Sequence, residues 1–436
     1  MSHRGPEASR DLSVAALARV EGEGAMQVRL SNGHVEHIAL NIYEPPRFFE
    51  AMLVGRHMHE PPDITARICG ICPVAYQTSA SEALEAIAGV TVDGPLRTLR
   101  RLLYCGEWIQ SHALHIFLLH VPDFLGYDSA IELAADERGL VERGLALRRV
   151  GRWVIEALGG RESHPVNVRV GGFYRAPLTA ELKALRGPLE EGRDSAAATV
   201  ELVAGLDFPD LEIDHELVAM HHPDEYAIDR GRIVSDAGLD IAASEFGEHF
   251  AEDHVAHSTA LHARRIGSDR SYLVGPLARY ALNFDQLPQV ARDAATAAGL
   301  PRVVRNPYQS IVVRAVELLA AYDEALRLLD AYDEPDRACL DVQPVAGVGH
   351  GISEAPRGLL YHRYEVDGRG LITAADIVPP TSQNQRAIEE DLASFVEAHI
   401  DLADAQLRHR CEQAIRNYDP CISCATHFLD LTIDRR

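Results

Sequence analysis

The 436-residue sequence is notable first for what it has little of. It has no surplus of positive charge: 42 Lys and Arg stand against 65 Asp and Glu, a formal net charge of −23. A chain so acidic has no basic excess with which to displace counterions from a phosphate backbone, which excludes nucleic-acid binding as its main business. The Lys/Arg runs, such as Arg100-Arg101, Arg148-Arg149 and Arg264-Arg265, are short and read as solvated helix faces. No stretch reaches the ~20 apolar residues of a membrane span. The longest apolar cluster, Ile116-Phe117-Leu118-Leu119, is hemmed in by His115 and His120. Near the N-terminus, Arg4 and Arg10 accompany only a short apolar patch over Val14–Ala18, too weak for a secretory signal. There are seven cysteines, an odd and low number that argues against a disulfide framework. Internal repeats, low-complexity segments and Pro/Ser linkers are missing, and no G-x-G-x-x-G follows a strand, so a nucleotide would bind on another chain.

What is present is an ordinary globular composition, 47% hydrophobic and 25% charged. At about 150 residues per domain the length allows up to three domains, and a chain of this size buries about three quarters of its unfolded surface without covalent staples. Val28 and Leu30, then Asn32-Gly33, then Val35, Ile38, Leu40 and Ile42 predict a β-hairpin within 16–42. A short helix is expected over Arg47–Arg56 and another over Ser79–Ala88. Apolar spacing predicts long helices over Pro95–His120, roughly 39 Å if unbroken, and over Ala130–Ala157, Ala180–Leu206 with an interruption at Gly187-Pro188, Ile311–Tyr332 and Arg386–Arg416. Residues 207–275 read as a mixed excursion with short strands, and 350–380 as extended chain turning at Asp367-Gly368. The expected fold class is mainly α with small β decorations, a long central helix bundle with an N-terminal β-hairpin.

Four cysteines form two C-x-x-C pairs, Cys69-Gly70-Ile71-Cys72 near one end and Cys421-Ile422-Ser423-Cys424 near the other. Each pair can place two sulfurs on one ion, and thiolates suit zinc, iron and other soft or borderline metals. Spacing alone leaves structural zinc, a redox dithiol and a catalytic metal open. Structural zinc usually gathers its pairs within a few dozen residues; ligands bracketing a whole chain point to a site buried in the core.

The flanking residues carry more. Arg67-Ile68-Cys69-Gly70-Ile71-Cys72 and Asp419-Pro420-Cys421-Ile422-Ser423-Cys424-Ala425-Thr426-His427 closely resemble the large subunit of [NiFe] hydrogenases. In the same order follow Arg19-Val20-Glu21-Gly22, His164-Pro165 with Gly171-Gly172, Glu354-Ala355-Pro356-Arg357-Gly358 and Val378-Pro379-Pro380-Thr381. The resemblance implies nickel held by Cys69, Cys72, Cys421 and Cys424, with Cys72 and Cys424 bridging to an iron that carries CO and two cyanides. It implies reversible heterolytic cleavage of H2, which needs a base for the proton; Cys421 is one candidate and Glu21 matches the proton-transfer glutamate. Arg357 matches an arginine that overhangs the metals, and Asp123 and Asp419 match carboxylates that orient it. Pro379 and Thr381 fall to cofactor binding, Thr381 as a hydrogen-bond donor to a cyanide. Glu50 and His427 match ligands of a separate magnesium or iron site near the C-terminus.

Three positions depart from many members of the family: Tyr76 and Glu23 stand where histidines are common, and Pro379-Pro380-Thr381-Ser382-Gln383-Asn384 differs from the membrane-bound uptake enzymes. They resemble the cytoplasmic, NAD(P)-linked, sulfhydrogenase-like branch. The complex I relative of the fold lacks the thiolate pairs and is excluded. With no spare cysteine array for iron–sulfur clusters, electrons must leave through a partner; the resemblance implies an iron–sulfur small subunit and flavin/NAD(P)-binding diaphorase subunits. It also implies a maturation endopeptidase cutting between His427 and Phe428, which makes 1–427 a single domain and 428–436 a removable extension. The rival expectations are a hydrogen-sensing regulatory homologue and a non-catalytic zinc or scaffold subunit. Cys105, Cys339 and Cys411 are expected to be buried free thiols, and His112, His115 and His120 core or surface residues.

Overall fold

The structure, a computed structural model, describes residues 9–426. At the N-terminal end, β1 (Ser9–Val14), β2 (Gly24–Ser31) and β3 (His34–Ile42) form an antiparallel sheet. The β2–β3 turn uses positive φ at both Asn32 (50°) and Gly33 (83°), the backbone twist that a two-residue hairpin needs and that Asn-Gly supplies at little cost.

The centre is a helix bundle: α1 (Pro73–Ile87), α2 (Pro95–Leu114), α3 (Arg138–Gly159), α4 (Arg186–Ala204) and α5 (Ser310–Asp330), joined nearer the C-terminus by α6 (Pro380–Ala398) and α7 (Asp404–Arg416). Its closest crossings depend on glycine. A Cβ on Gly151 of α3 would lie 2.6 Å from the Gly106 carbonyl of α2, and one on Gly192 of α4 would lie 2.2 Å from the Tyr322 ring of α5. A second hairpin, β4 (Phe250–Asp253) and β5 (His262–Arg265), packs on α6. The antiparallel sheet β6 (Gly347–Ala355), β7 (Gly358–Val366) and β8 (Ile372–Val378) lies against α1. Strand β6 can touch the helix backbone because Gly349 and Gly351 carry no side chain; a Cβ there would sit 2.0 Å from Ala83 O and 2.1 Å from Ser79 O. One large apolar cluster runs from Leu12 through the bundle to Cys424.

The helical expectations hold in place and differ in their breaks. The helix expected over Pro95–His120 leaves α-helical register at Leu114 and finishes in a π-helical turn, His115–His120. The one expected over Ala130–Ala157 is broken at Glu137. In Ala180–Leu206 the break comes at Ala184-Leu185 instead of Gly187-Pro188. Pro188 lies in the first turn of α4, where a missing N–H costs nothing and a fixed φ helps. The last long helix is two, α6 and α7, separated at His399–Ala403, and it begins six residues early because Pro380 starts it. No described helix is long and apolar enough to cross a membrane.

Candidate metal centre

Cys69 and Cys72 lie on the turn entering α1, and Cys72 is its N-cap. Cys421 and Cys424 flank and end a single helical turn, Ile422–Ala425. The two segments meet although opposite ends of the chain supply them. Cys69 Sγ is 3.3 Å from Cys421 Sγ, Cys72 Sγ is 3.5 Å from Cys424 Sγ, and Cys421 and Cys424 are 2.9 Å apart. None of the four buried thiols is in a disulfide, and their sulfurs lie within 4.8 Å of one another.

Buried main-chain and side-chain contacts hold this geometry. The N–H groups of Ile71 and Cys72 donate to Cys69 Sγ at 3.3 and 3.4 Å. The Thr381 hydroxyl at the start of α6 accepts from Cys421 N at 3.0 Å, which leaves its hydrogen available to another acceptor. Pro379 is the buried N-cap of α6. Arg47 donates to Ile68 O at 2.5 Å and also to Ser423 O, clamping both cysteine segments with one guanidinium. Glu107 of α2 accepts from Val74 N and Ala75 N at 2.6 and 3.1 Å, fixing the first turn of α1. His164 Nδ1, beside Pro165, lies 2.7 Å from Ala66 O, and Gln77 donates to Pro165 O at 2.7 Å.

The electrostatics call for a cation. Burial, and then the neighbouring thiols, push Cys421 well above the usual thiol range. Hydrogen bonds from Cys421, Cys424 and Cys72 hold Cys69 well below it, so the set as it stands favours one thiolate. Four thiolates in one dry pocket are compatible only with bound positive charge, and four such donors match a soft or borderline metal ion. The donor set therefore fits nickel, with two of its thiolates able to bridge to a second metal.

Arg357 sits on the turn between β6 and β7, 2% exposed. Its Nε donates to Asp419 O at 2.7 Å and its Nη2 to Asp419 Oδ1 at 2.9 Å, while the buried Nη1 has no partner. Burial alone would lower its pKa; the charges of Asp419, Cys421, Cys72 and Cys69 overcome that and hold the guanidinium charged. Asp419 has φ of 50°, a left-handed conformation that a side chain so anchored can sustain. Arg279, over the Trp108 ring, carries the turn from beneath by donating to Ala355 O and Pro356 O at 2.6 and 2.8 Å. It is itself paired with Glu317 at 2.9 Å and Glu354 at 3.0 Å.

Glu21 pairs as an isolated parallel bridge with Cys421. The Cys421 thiol donates to Glu21 Oε2 at 3.1 Å, and Ser423 N donates to the same oxygen at 3.0 Å. Burial, followed by the charge of Cys69, raises the Glu21 carboxyl. The Ser423 hydroxyl then donates to Glu44 Oε2 at 3.1 Å. Gly22 has φ of 92° and its Cβ position is filled by Ile422 at 2.6 Å, so only glycine lets the Glu21 segment lie against the second cysteine pair.

Asp123 requires a correction, because it does not orient Arg357. Its two oxygens face Arg416, at 2.7 and 2.8 Å, and Arg19, at 2.5 Å. Arg19 (φ 60°) approaches from the Glu21 segment and Arg416 from the end of α7, so the carboxylate is saturated before Arg357 could reach it. Asp123 instead ties together the chain segments that lead to Glu21 and Cys421. Glu50 accepts from Ile377 N at 2.7 Å on β8; His427, its expected companion, lies outside the described residues, as does the His427–Phe428 bond. Tyr76 is fully buried, its phenol raised by burial and then by the charge of Cys424. Glu23, the other departure, is exposed.

Sequence reading missed Arg47, Arg279, Arg314, Glu107, Ser423 and Glu44. Arg314 lies fully buried in α5, 3.6 Å from Asp419 Oδ2, with burial lowering it to about 10. Its signal was visible: a lone arginine inside the apolar run Ile311-Val312-Val313-Arg314-Ala315-Val316 cannot be an ordinary core residue.

Comparison with known proteins agrees with this geometry. The family described as nickel-dependent hydrogenase matches residues 47–142 and 268–427. The chain is 32% identical over 425 residues to sulfhydrogenase 1 subunit alpha of Pyrococcus furiosus, covering 96% of this chain and 98% of that one. It is 30% identical over 469 residues to the NAD-reducing hydrogenase HoxS subunit beta of Cupriavidus necator, covering 97% and 95%. Among solved structures, an NAD+-reducing [NiFe]-hydrogenase in the H2-reduced state superposes with a TM-score of 0.86 at 29% identity, covering 96% and 99%. A [NiFeSe]-hydrogenase of Dm. baculatum shares the fold with a TM-score of 0.80.

Proposed function

This chain belongs to the nickel-dependent hydrogenase family and is the catalytic large subunit of a [NiFe] hydrogenase, and on that premise we propose that Cys421, Glu21, Ser423 and Glu44 carry the proton of reversible H2 cleavage. The observation that carries the reading is the meeting of four buried cysteine sulfurs, none in a disulfide, from the two ends of the chain. Cys69, Cys72, Cys421 and Cys424 would hold the nickel, with Cys72 and Cys424 shared with an iron bearing CO and two cyanides. When bound, that centre supplies Lewis-acid polarisation of H2 and the redox capacity for two electrons.

The chain's own residues supply the rest. Cys421 Sγ takes the proton and stands in hydrogen-bond contact with Glu21 Oε2. Burial raises the Glu21 carboxyl, which strengthens it as an acceptor for the proton on Cys421. Ser423 fixes the Glu21 carboxylate through its N–H, and its hydroxyl leads on to Glu44, which reaches solvent. Arg357 presents Nη1, its one unpartnered nitrogen, as a fixed cation beside the thiols, and Asp419 orients it. Pro379 and Thr381 would line the diatomic ligands, with the Thr381 hydroxyl as a donor for a cyanide, and Glu50 and His427 would hold a separate magnesium or iron ion.

Electrons would pass to an iron–sulfur small subunit and on to NAD(P) through diaphorase subunits; the names of the relatives support a multisubunit assembly and, for one of them, NAD as acceptor. We place the complex in the cytoplasm, with 1–427 as a single domain and 428–436 removed by an endopeptidase during maturation. The test is infrared spectroscopy and elemental analysis of the anaerobically purified complex, followed by H2-dependent reduction of NAD, NADP and an artificial dye. Bands of CO and cyanide are expected, with nickel present and iron in excess of it because the partner subunit carries iron–sulfur clusters, together with pyridine-nucleotide reduction. Zinc in place of nickel, without those bands, would overturn the reading.

A further inference from the structure

Away from the thiol centre, three side chains meet where the N-terminal sheet, the β4–β5 hairpin and α6 come together. They are His257 in the hairpin loop, His262 at the start of β5 and Glu389 midway along α6. One ligand atom from each lies within 4.8 Å of the others. His257 Nε2 is 2.7 Å from Glu389 Oε1, which also accepts from Leu40 N on β3 at 2.8 Å. Glu389 Oε2 faces His262 Nδ1 at 3.8 Å, beyond hydrogen-bond reach. That separation is near the roughly 3.3 Å edge of a tetrahedron whose ligands lie about 2.0 Å from its centre.

The His262 ring is the telling member. It is 6% exposed; Nδ1 is the nitrogen turned toward Glu389, and the other ring nitrogen, Nε2, is buried without a hydrogen-bond partner. The arginine that acts on the cluster from α6, Arg386, is itself paired with Asp269 and Glu390. His257 packs edge-on to His262 at 5.4 Å, and the exposed His37 of β3 packs edge-on to His257 at 6.3 Å, on the solvent side where a fourth ligand would enter.

We propose that His257, His262 and Glu389 form a divalent metal site of the zinc class, with water or His37 as the fourth ligand. Two neutral imidazoles and one carboxylate are a donor set for Zn2+ and similar borderline ions. The ion ties the β4–β5 hairpin and β3 to α6. Glu389 is two turns, about 12 Å, along that helix from Thr381, so the tie also steadies the end of α6 that caps Cys421.

The test uses the purified complex, chelated and then titrated with Zn2+, with Co2+ as a coloured probe. The wild-type complex is expected to bind one Zn2+ more per chain than an H257Q or H262Q complex, with nickel and iron unchanged in all three. Its thermal midpoint rises with Zn2+ while that of the variants does not. H257Q replaces a partly exposed loop residue, so it keeps the fold; it should bind Zn2+ more weakly by more than about tenfold, the lower end of what losing even an outer partner of a metal ligand costs. Any ion at Glu50 binds equally in all three and cancels. Equal zinc uptake and equal thermal response in wild type and variants would overturn the proposal.

Discussion

Glu21 and Cys421, 400 positions apart in sequence, touch through both main chain and side chain. Ile422 N donates to Glu21 O at 2.9 Å, and the Cys421 thiol donates to Glu21 Oε2 at 3.1 Å. The backbone contact brings the two segments together, and Ser423 N, donating to the same Glu21 oxygen at 3.0 Å, holds the carboxylate at the sulfur.

E21Q should keep that geometry and lose the proton acceptor. Turnover of H2 is expected to fall by about 10²–10⁴-fold, the usual contribution of a positioned acid or base. Nickel and iron content, and the infrared bands, should be unchanged. E21D, one methylene shorter, should recover part of the rate. Unimpaired turnover and H2/D2 exchange in E21Q would remove Glu21 from the relay.

R357K tests the arginine apart from its charge. Lysine keeps the cation but cannot donate at once to Asp419 O and Asp419 Oδ1 while leaving a third nitrogen free. Turnover should drop by about 10²-fold, in line with losing one oriented electrostatic donor, while metal content remains intact. D419N should show a smaller loss in the same direction, measured as kcat with the same electron acceptor.

Acid stability should report the buried histidines of the α2 exit. Full burial lowers His112 to about 4. A histidine depressed in the folded state is neutral there, and the unfolded chain takes up its proton as pH falls below 6.5; stability is therefore present above 6.5 and lost as pH falls through 4. His112 alone contributes on the order of 3 kcal/mol to this loss, and His115 and His120 shift the same way. The thermal midpoint should fall between pH 6.5 and 4.5, with a shallower slope in H112Q. Identical slopes would show that other groups govern acid unfolding.

G151A probes the crossing of α2 and α3. The new Cβ would meet Gly106 O at 2.6 Å and Gln110 N at 2.7 Å, both backbone atoms that cannot swing aside. Separating the helices should cost about 1–3 kcal/mol, as overpacking a tight core does. Because Glu107 and Gln110 lie on the same stretch of α2 and hold Val74, Ala75 and Ile71, retention of nickel should fall too. Unfolding midpoints and elemental analysis together read both effects.

Much of this was legible in the chain itself. Asn32-Gly33 specified its hairpin because only residues tolerant of positive φ can make that turn. The two C-x-x-C pairs narrowed the site to thiol chemistry, and the residues flanking them, not their spacing, pointed to nickel. Periodicity located the long helices but not their breaks at Glu137, Ala184-Leu185 and His399–Ala403, since a few residues outside helical geometry hardly disturb a pattern averaged over several turns. The hydrogen-bond partners were less legible still. Asp123 carries no mark that it meets Arg19 and Arg416 and not Arg357, and Arg47 none that it spans both cysteine segments.

The sequence by itself determined the ligand chemistry, the family and the helical character, because these depend on residue type and local spacing. Only the tertiary structure decided which charges pair, which thiol meets Glu21 and where His262 Nε2 is left without a partner. Those outcomes depend on distances between segments hundreds of residues apart, set by how closely glycine-lined helices and strands can pack.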